Sequence, residues 1–155
     1  MTYYESEEHE IAVILRHSVL LMTNIRRYEL AHFDITPQQI GVMRFMQKFP
    51  TACTILQLRE VMRRSNSSLV AIINRLERKG LVQRQTDSKN KKYTRVFVTE
   101  KGKELYEKAM EMSAFSIIIS SLPEKDRKRL KSYVNTINRT AEKILDEQYK
   151  GKREN

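Results

Sequence analysis

Arginine and lysine side chains are concentrated in the middle third of this sequence. Residues 54–103 carry 13 basic and 4 acidic side chains, a net charge of +9, whereas residues 1–53 have a net charge of −1 and residues 104–155 one of +2. A solvated surface usually mixes both signs, so an excess confined to one segment predicts a surface that binds phosphate groups. Nucleic acid is therefore the expected partner of this segment.

The composition of the whole chain supports a folded, helix-rich protein. It has 155 residues, a net charge of +10, 40% hydrophobic residues, 4 glycines and 3 prolines. This is the size of one domain, and the composition excludes disordered, collagen-like and disulfide-scaffold chains. The single cysteine and the absence of a signal-peptide pattern lead us to expect a cytoplasmic protein. No apolar run approaches the ~20 residues of a membrane span, so no membrane partner is expected.

Helical periodicity dominates the residues before the basic segment. Apolar positions predict one long helix over about residues 7–31, with apolar residues on more than one stripe. Thr36 suits an N-cap, with Pro37 at the first helical position and Gln39 as a capping-box partner. We expect this second helix to run to about Phe49.

The basic segment itself has the pattern of two short helices and a hairpin. Thr54 is expected to cap a helix that ends near Arg63, and a tight turn over residues 64–66 leads to a helix that Gly80 stops. Residues 81–85 and 95–99 are β-type runs that flank a polar loop. A helix-turn-helix followed by a basic hairpin is the layout of a winged helix.

The residues after the hairpin again have helical spacing. Thr99 is expected to cap a helix that continues to about Ser121, and Pro123 to begin a last helix. The predicted fold class is therefore mainly α with a small β-hairpin wing, an α+β winged helix-turn-helix.

The end of the second short helix and the hairpin resemble a known family in sequence. Residues 76–102, L-E-R-K-G-L-V-Q-R-Q-T-D-S-K-N-K-K-Y-T-R-V-F-V-T-E-K-G, are similar to the recognition-helix end and wing of the MarR family of transcription regulators. The matching features are L-E-x-K-G-L, Arg84, Asp87 and V-T-x-K-G. The resemblance implies a winged helix-turn-helix DNA-binding domain over residues 35–103. It also implies a helical dimerisation region formed by residues 1–34 and 104–155.

The resemblance also implies a function. Family members are DNA-binding transcription regulators, more often repressors, that bind near-palindromic operators as homodimers, and a small-molecule effector can release them. Two departures prevent transfer of base preference: Asn90 and Lys91 replace an Asp-Arg pair of the wing, and Val70 and Ala71 replace a Thr-Arg pair of the recognition helix. A sequence-nonspecific nucleic-acid binder and a dimer that sequesters another regulator therefore remain alternatives.

Fourteen residues form the predicted DNA-binding site. Recognition helices place their N-terminal residues at base edges, so three polar residues are candidates for hydrogen bonds to bases, namely Asn66, Ser67 and Ser68. Val70 and Ala71 could contact thymine methyl groups, and Asn74 either reads adenine or has a structural role beside Arg75. The expected phosphate ligands are Arg63, Arg64, Arg75 and Arg78. The expected wing contacts to the minor groove or its backbone are Lys89, Lys91, Lys92 and Tyr93.

The sequence gives little support for catalysis, metal binding, a reactive cysteine or an effector pocket. There is no glycine-rich phosphate loop, nucleophile elbow or paired acid-base cluster, so we do not expect an enzyme. His9, His17 and His32 lack partners at metal-ligand spacing, and neither a metal nor another cofactor is expected. Cys53 is expected to be an inert, half-buried residue. Five side chains could line an effector pocket but are more often ordinary core, so effector residues stay unassigned: Met22, Tyr28, Phe33, Met43 and Phe45.

Overall fold

The computed structural model describes residues 6–49, 51–63, 65–86 and 94–151. The helices of these ranges are α1 (Glu7–Ala31), α2 (Pro37–Met46), α3 (Ile55–Met62), α4 (Asn66–Arg78), α5 (Glu100–Glu111), α6 (Phe115–Ser120) and α7 (Glu124–Gly151). The strands are β1 (Cys53–Thr54), β2 (Val82–Thr86) and β3 (Thr94–Val98). The predicted mainly helical fold with a small β-hairpin is confirmed. None of the described helices is long and apolar enough to cross a membrane.

The chain divides into two compact units, Met1–Ser113 and Ala114–Asn155. The first unit contains α1 to α5 and the sheet, and the second contains α6 and α7, which contact each other. The hydrophobic core of the first unit is built mainly by α2, α3, α4 and the strands. This core determines which face of each central helix remains exposed.

Side-chain caps begin the helices where the sequence predicts them. The Thr36 hydroxyl accepts the Gln39 backbone N–H at 3.2 Å, and the Gln39 side chain accepts the Thr36 N–H at 2.9 Å. Thr54 forms the same reciprocal box with Gln57, and the Thr99 hydroxyl accepts the Gly102 N–H at 3.1 Å. Each cap satisfies donors that a helix end leaves without partners, so the predicted starts of α2, α3 and α5 are confirmed.

Two predicted helix ends are wrong. α2 ends at Met46 rather than Phe49, because the following N–H groups of Lys48 and Phe49 bond three residues back in tight turns. The predicted helix from Thr99 to Ser121 is interrupted after Glu111, where the Ser113 N–H bonds the Met110 carbonyl at 3.2 Å. Apolar spacing continues across this break without a glycine or proline, so periodicity alone cannot locate it.

The sheet has three antiparallel strands in the order β1-β3-β2. The hairpin register runs from Val82 opposite Val98 to Thr86 opposite Thr94. The connector over residues 51–54 supplies the third strand, with Cys53 opposite Val96. A two-residue strand is too short to give a periodicity signal, so the sequence alone does not predict it.

Candidate nucleic-acid interface

The recognition helix α4 begins at Asn66, directly after the N-cap Ser65. The Ser65 hydroxyl accepts the Ser68 backbone N–H at 3.3 Å and lies 3.3 Å from the Ser67 hydroxyl. α3 ends in the left-handed conformation of Arg63, with φ 49° and ψ 41°. The cap Ser65 thus begins α4 so that Asn66, Ser67 and Ser68, the candidates for base contacts, lie in its first turn.

The two faces of α4 have different compositions. The buried face holds four apolar residues that are at most 4% exposed: Leu69, Ile72, Ile73 and Leu76. The opposite face exposes six of the predicted DNA-binding residues: Asn66, Ser67, Ala71, Asn74, Arg75 and Arg78. Ser68 and Val70 lie at the boundary and are half-buried. Because the apolar stripe is locked in the core, the polar face cannot rotate away from solvent.

Asn74 has a structural partner that the sequence did not identify. The Arg84 guanidinium of β2 donates to the Asn74 Oδ1 at 2.5 Å and to the Glu77 carboxylate at 2.7 Å. This two-pronged contact joins the hairpin to the exposed side of α4. A planar guanidinium can hold two acceptors at fixed geometry, so Arg84 orients Asn74 as well as the hairpin. The sequence analysis gave Asn74 either a base-reading role or a structural role. The bond to Arg84 supports the structural role, with a partner that the sequence did not indicate.

The end of α4 explains the motif L-E-R-K-G-L. Gly80 has φ 69°, a left-handed conformation that favours glycine. The Leu81 N–H bonds the Leu76 carbonyl at 3.0 Å, and the Gly80 N–H bonds the Glu77 carbonyl at 2.9 Å. These two bonds form a Schellman motif, which ends the helix and turns the chain into β2.

The second motif, V-T-E-K-G, packs against the first. The Thr99 hydroxyl donates to the Gly80 carbonyl at 2.7 Å, and the Lys101 ammonium donates to the Lys79 carbonyl at 2.9 Å. A Cβ on Gly102 would lie 2.7 Å from the Val98 Cγ1 and closer still to the Leu81 carbonyl oxygen. The two motifs are therefore the two sides of one contact that holds the end of the hairpin against the end of α4.

Several expected DNA contacts lie outside the described residues, namely Arg64 and the wing residues Lys89, Lys91, Lys92 and Tyr93. They stay predictions. Among the described residues, Arg63 is exposed, and Arg75 and Arg78 are exposed without a carboxylate partner within the described ranges. Two positioning roles were not predicted from the sequence: Ser65 as the cap of α4, and Arg84, noted there only as a residue that matches the family, as the bridge to Asn74 and Glu77. The serine directly before α4 is a typical N-cap residue, so the cap could have been predicted from the sequence. The contact between Arg84 and α4 depends on how the hairpin packs, and no local sequence pattern indicates it.

Cys53 is a core residue, whereas the effector candidates range from buried to exposed. Cys53 is fully buried, where half-burial was expected, and burial raises the pKa of its thiol to about 11. The neutral thiol is therefore favoured and its nucleophilicity is low. Met43 is fully buried, whereas Tyr28 is 79% exposed, and Phe33 and Phe45 pack against the core. These side chains do not share one environment.

Comparisons with known proteins agree with this architecture. A model described as "MarR family" matches residues 33–92. No curated protein matches the sequence. The S. aureus MepR–DNA complex is 19% identical, with a TM-score of 0.76 over 90% of this chain and 98% of that chain. A cysteine-to-serine mutant of E. coli MarR complexed with operator DNA is 18% identical, with a TM-score of 0.75 over 84% of this chain and 95% of that chain.

A third solved structure is the organohalide-sensing transcriptional regulator RdhR in its 2,4-dichlorophenol-bound form. It is 16% identical, with a TM-score of 0.78 over 90% of this chain and 89% of that chain. At identities this low, the structural similarity shows a shared fold and nothing more. The family match to residues 33–92 adds a sequence similarity that covers the helix-turn-helix. Residues 33–92 of this chain are therefore similar in sequence to the MarR family, and the chain shares the fold of the solved MarR-family structures.

Proposed function

We propose that this chain is a sequence-specific DNA-binding transcription regulator, a repressor that binds a near-palindromic operator as a homodimer. The observation that carries the proposal is the exposed face of α4. It presents short polar side chains in its first turn and, in its last turns, two arginines without a carboxylate partner among the described residues, while its other face is locked in the core. This is the arrangement of a recognition helix that enters the major groove with its N-terminal end.

The proposed contacts divide into base and backbone contacts. Asn66, Ser67 and Ser68 would donate and accept hydrogen bonds at base edges, and Val70 and Ala71 would contact thymine methyl groups. Side chains with long cationic ends would bind phosphates: Arg63, Arg64, Arg75 and Arg78. The wing residues Lys89, Lys91, Lys92 and Tyr93 would reach the neighbouring minor groove. Asn74, already bonded to Arg84, would serve mainly to orient the hairpin.

Exposed apolar residues on the terminal helices support the homodimer. On α1 these are Ile11, Ile14, Val19, Leu20, Leu21 and Ile25, and on α7 they are Tyr133, Ile137, Ile144 and Leu145. Large exposed apolar patches on a soluble protein mark interaction sites. We therefore propose residues 1–34 and 104–155 as the dimerisation region and 35–103 as the DNA-binding domain. Light scattering should give twice the chain mass of 18.4 kDa.

A small-molecule effector and a cytoplasmic location complete the proposal. The support for the effector is the resemblance to regulators with a ligand-bound form, such as RdhR with 2,4-dichlorophenol. The support for the location is the proposed DNA target.

Selection of the purified protein against a random duplex library at about 150 mM salt tests the proposal, since nonspecific electrostatic binding is weakened there. The expected result is an enriched near-palindrome whose half-sites lie about 34 to 36 Å apart, one helical turn. Recovery of DNA without enrichment would contradict sequence specificity and favour the sequence-nonspecific binder. Failure to retain any DNA would favour the dimer that sequesters another regulator.

A further inference from the structure

An open cleft of about 680 Å³ lies in the first unit, between the recognition helix and the end of α1. Its walls are the last turns of α1, the α1–α2 loop, the first turn of α2 and the C-terminal half of α4. The cationic side chains that line it are Arg27 from α1, and Arg75, Arg78 and Lys79 from α4 and its cap. Arg27 lies outside the segment 35–103 and was not among the predicted DNA-binding residues.

Positively charged side chains outnumber negatively charged ones in the lining of this cleft. Lys79 is neutralised by Asp34, whose carboxylate lies 2.8 Å from the Lys79 ammonium and whose backbone carbonyl accepts a second bond from it. The three arginines have no carboxylate partner among the described residues. Like charges that line one cleft repel each other, and a bound anion relieves that repulsion.

Contacts on both sides of the cleft position the helices and the loop that form its walls. The buried neighbour Arg26 donates to the Ala109 carbonyl of α5 at 2.7 Å, which fixes the rotation of α1 against α5, and its Nη1 donates to Glu29 within α1 at 2.8 Å. Because adjacent residues differ by 100° around a helix, Arg27 is directed away from that buried site and remains exposed. The Lys79–Asp34 ion pair joins the α1–α2 loop to the cap of α4.

We infer that this cleft binds a phosphate of the DNA backbone and that Arg27 is an additional phosphate ligand supplied by α1. Two of the three arginines belong to the helix face proposed to meet DNA, so a duplex on that face brings its phosphates to the cleft. A guanidinium binds phosphate oxygens with two parallel N–H donors. Because the cleft is open, it can receive a phosphate that remains part of the continuous DNA backbone. This inference rests on the proposed function and extends the DNA-binding surface beyond the winged helix.

A salt titration of three variants tests the inference. Binding to the selected duplex is followed by fluorescence anisotropy for the wild type, Arg27→Gln, Arg27→Lys and the control Arg16→Gln. Arg16 is exposed on the same helix, three turns before Arg27. Arg27→Gln should weaken binding at low salt about tenfold and reduce the log-log salt slope by about 0.9 for each bound chain. Arg27→Lys should keep the slope and lose part of the affinity, because only the paired donors are removed.

The outcomes separate this inference from the proposed function. Arg16→Gln should behave as the wild type. A wild-type slope and affinity for Arg27→Gln would overturn the phosphate contact and leave DNA binding intact. An equal loss for Arg16→Gln would also overturn it, since the effect would then reflect overall charge. A wild-type slope near zero would instead contradict the proposed function itself. Circular dichroism of Arg27→Gln should show unchanged helicity, and a folded Arg27→Lys with the slope of Arg27→Gln would likewise overturn the inference.

Discussion

The helices α4 and α1 differ in how completely the chain itself covers them. α4 has 13 residues and buries all four members of its apolar stripe, so that only its polar face meets solvent. α1 has 25 residues but buries only Arg26 and Leu30. Its other apolar residues include Val19, which is 63% exposed. The orientation of α4 is therefore decided within the chain, whereas α1 leaves several large apolar side chains exposed.

The two helices also differ in how they are attached to the rest of the first unit. α4 is held along its length by four side chains that fill the core, and near its end by the polar contacts of Arg84, Thr99 and Lys101. α1 is held near its C-terminal end, by the fully buried side chain of Leu30 and by the bond of Arg26 to the Ala109 carbonyl of α5. A helix attached in this way can keep a long apolar face available for association.

The largest expected effect comes from opening the core under α4. Ile73→Ala removes a fully buried side chain and should lower the free energy of unfolding by about 2–5 kcal/mol. Urea denaturation at a concentration where the chain is monomeric measures this loss. Val19→Ala on α1 is the matched control and should change the monomer by no more than about 0.5 kcal/mol. Equal losses for the two variants would break the comparison, because α1 would then be packed as α4 is.

A smaller effect is expected from the tether of α1. Arg26→Lys keeps the charge but cannot reach both acceptors with a planar fork, so it should cost about 1.5–3 kcal/mol, the value of one hydrogen bond to a charged group. Thermal and urea unfolding measure the loss. Arg27→Lys, one residue later and exposed, should stay within about 0.5 kcal/mol of the wild type. If both variants unfold like the wild type, the Arg26 contact does not hold α1.

The smallest effect is expected where the hairpin meets the end of α4. Gly102→Ala would place a methyl group against the Leu81 carbonyl and Val98, and should destabilise the protein by about 1–3 kcal/mol. Gly41→Ala in α2 meets nothing within 4 Å and should stabilise it by about 0.5–1 kcal/mol, because alanine favours the helix. The sign of each change, measured by urea denaturation, is the test. A stabilising Gly102→Ala would show that this junction is looser than the core beneath α4.

Local features of the fold were predictable from residues close together in the sequence. The caps at Thr36, Thr54 and Thr99 depend on a hydroxyl and an N–H three residues later. The four-residue apolar stripe of α4 and the bounds of α1 follow from helical spacing. For the same reason, the sequence identified which face of α4 is polar and which of its residues are candidates for base contacts.

Tertiary contacts decided what depends on partners distant in sequence. Asn74 accepts from Arg84, ten residues away, and Cys53 pairs in the sheet with Val96, which lies 43 residues later. No local pattern encodes such contacts, because each requires the packing of two elements against each other.

The adjacent arginines of α1 show the same division most clearly. The sequence determined that Arg26 and Arg27 lie on one amphipathic helix, since periodicity depends on residue type and spacing alone. It could not distinguish the two side chains, which are identical. Packing against α5 decided that Arg26 is 4% exposed and bonded to Ala109, whereas Arg27 lines the cleft beside α4. A rotation of 100° about the helix separates the two positions, and only the placement of neighbouring elements gives that rotation a consequence.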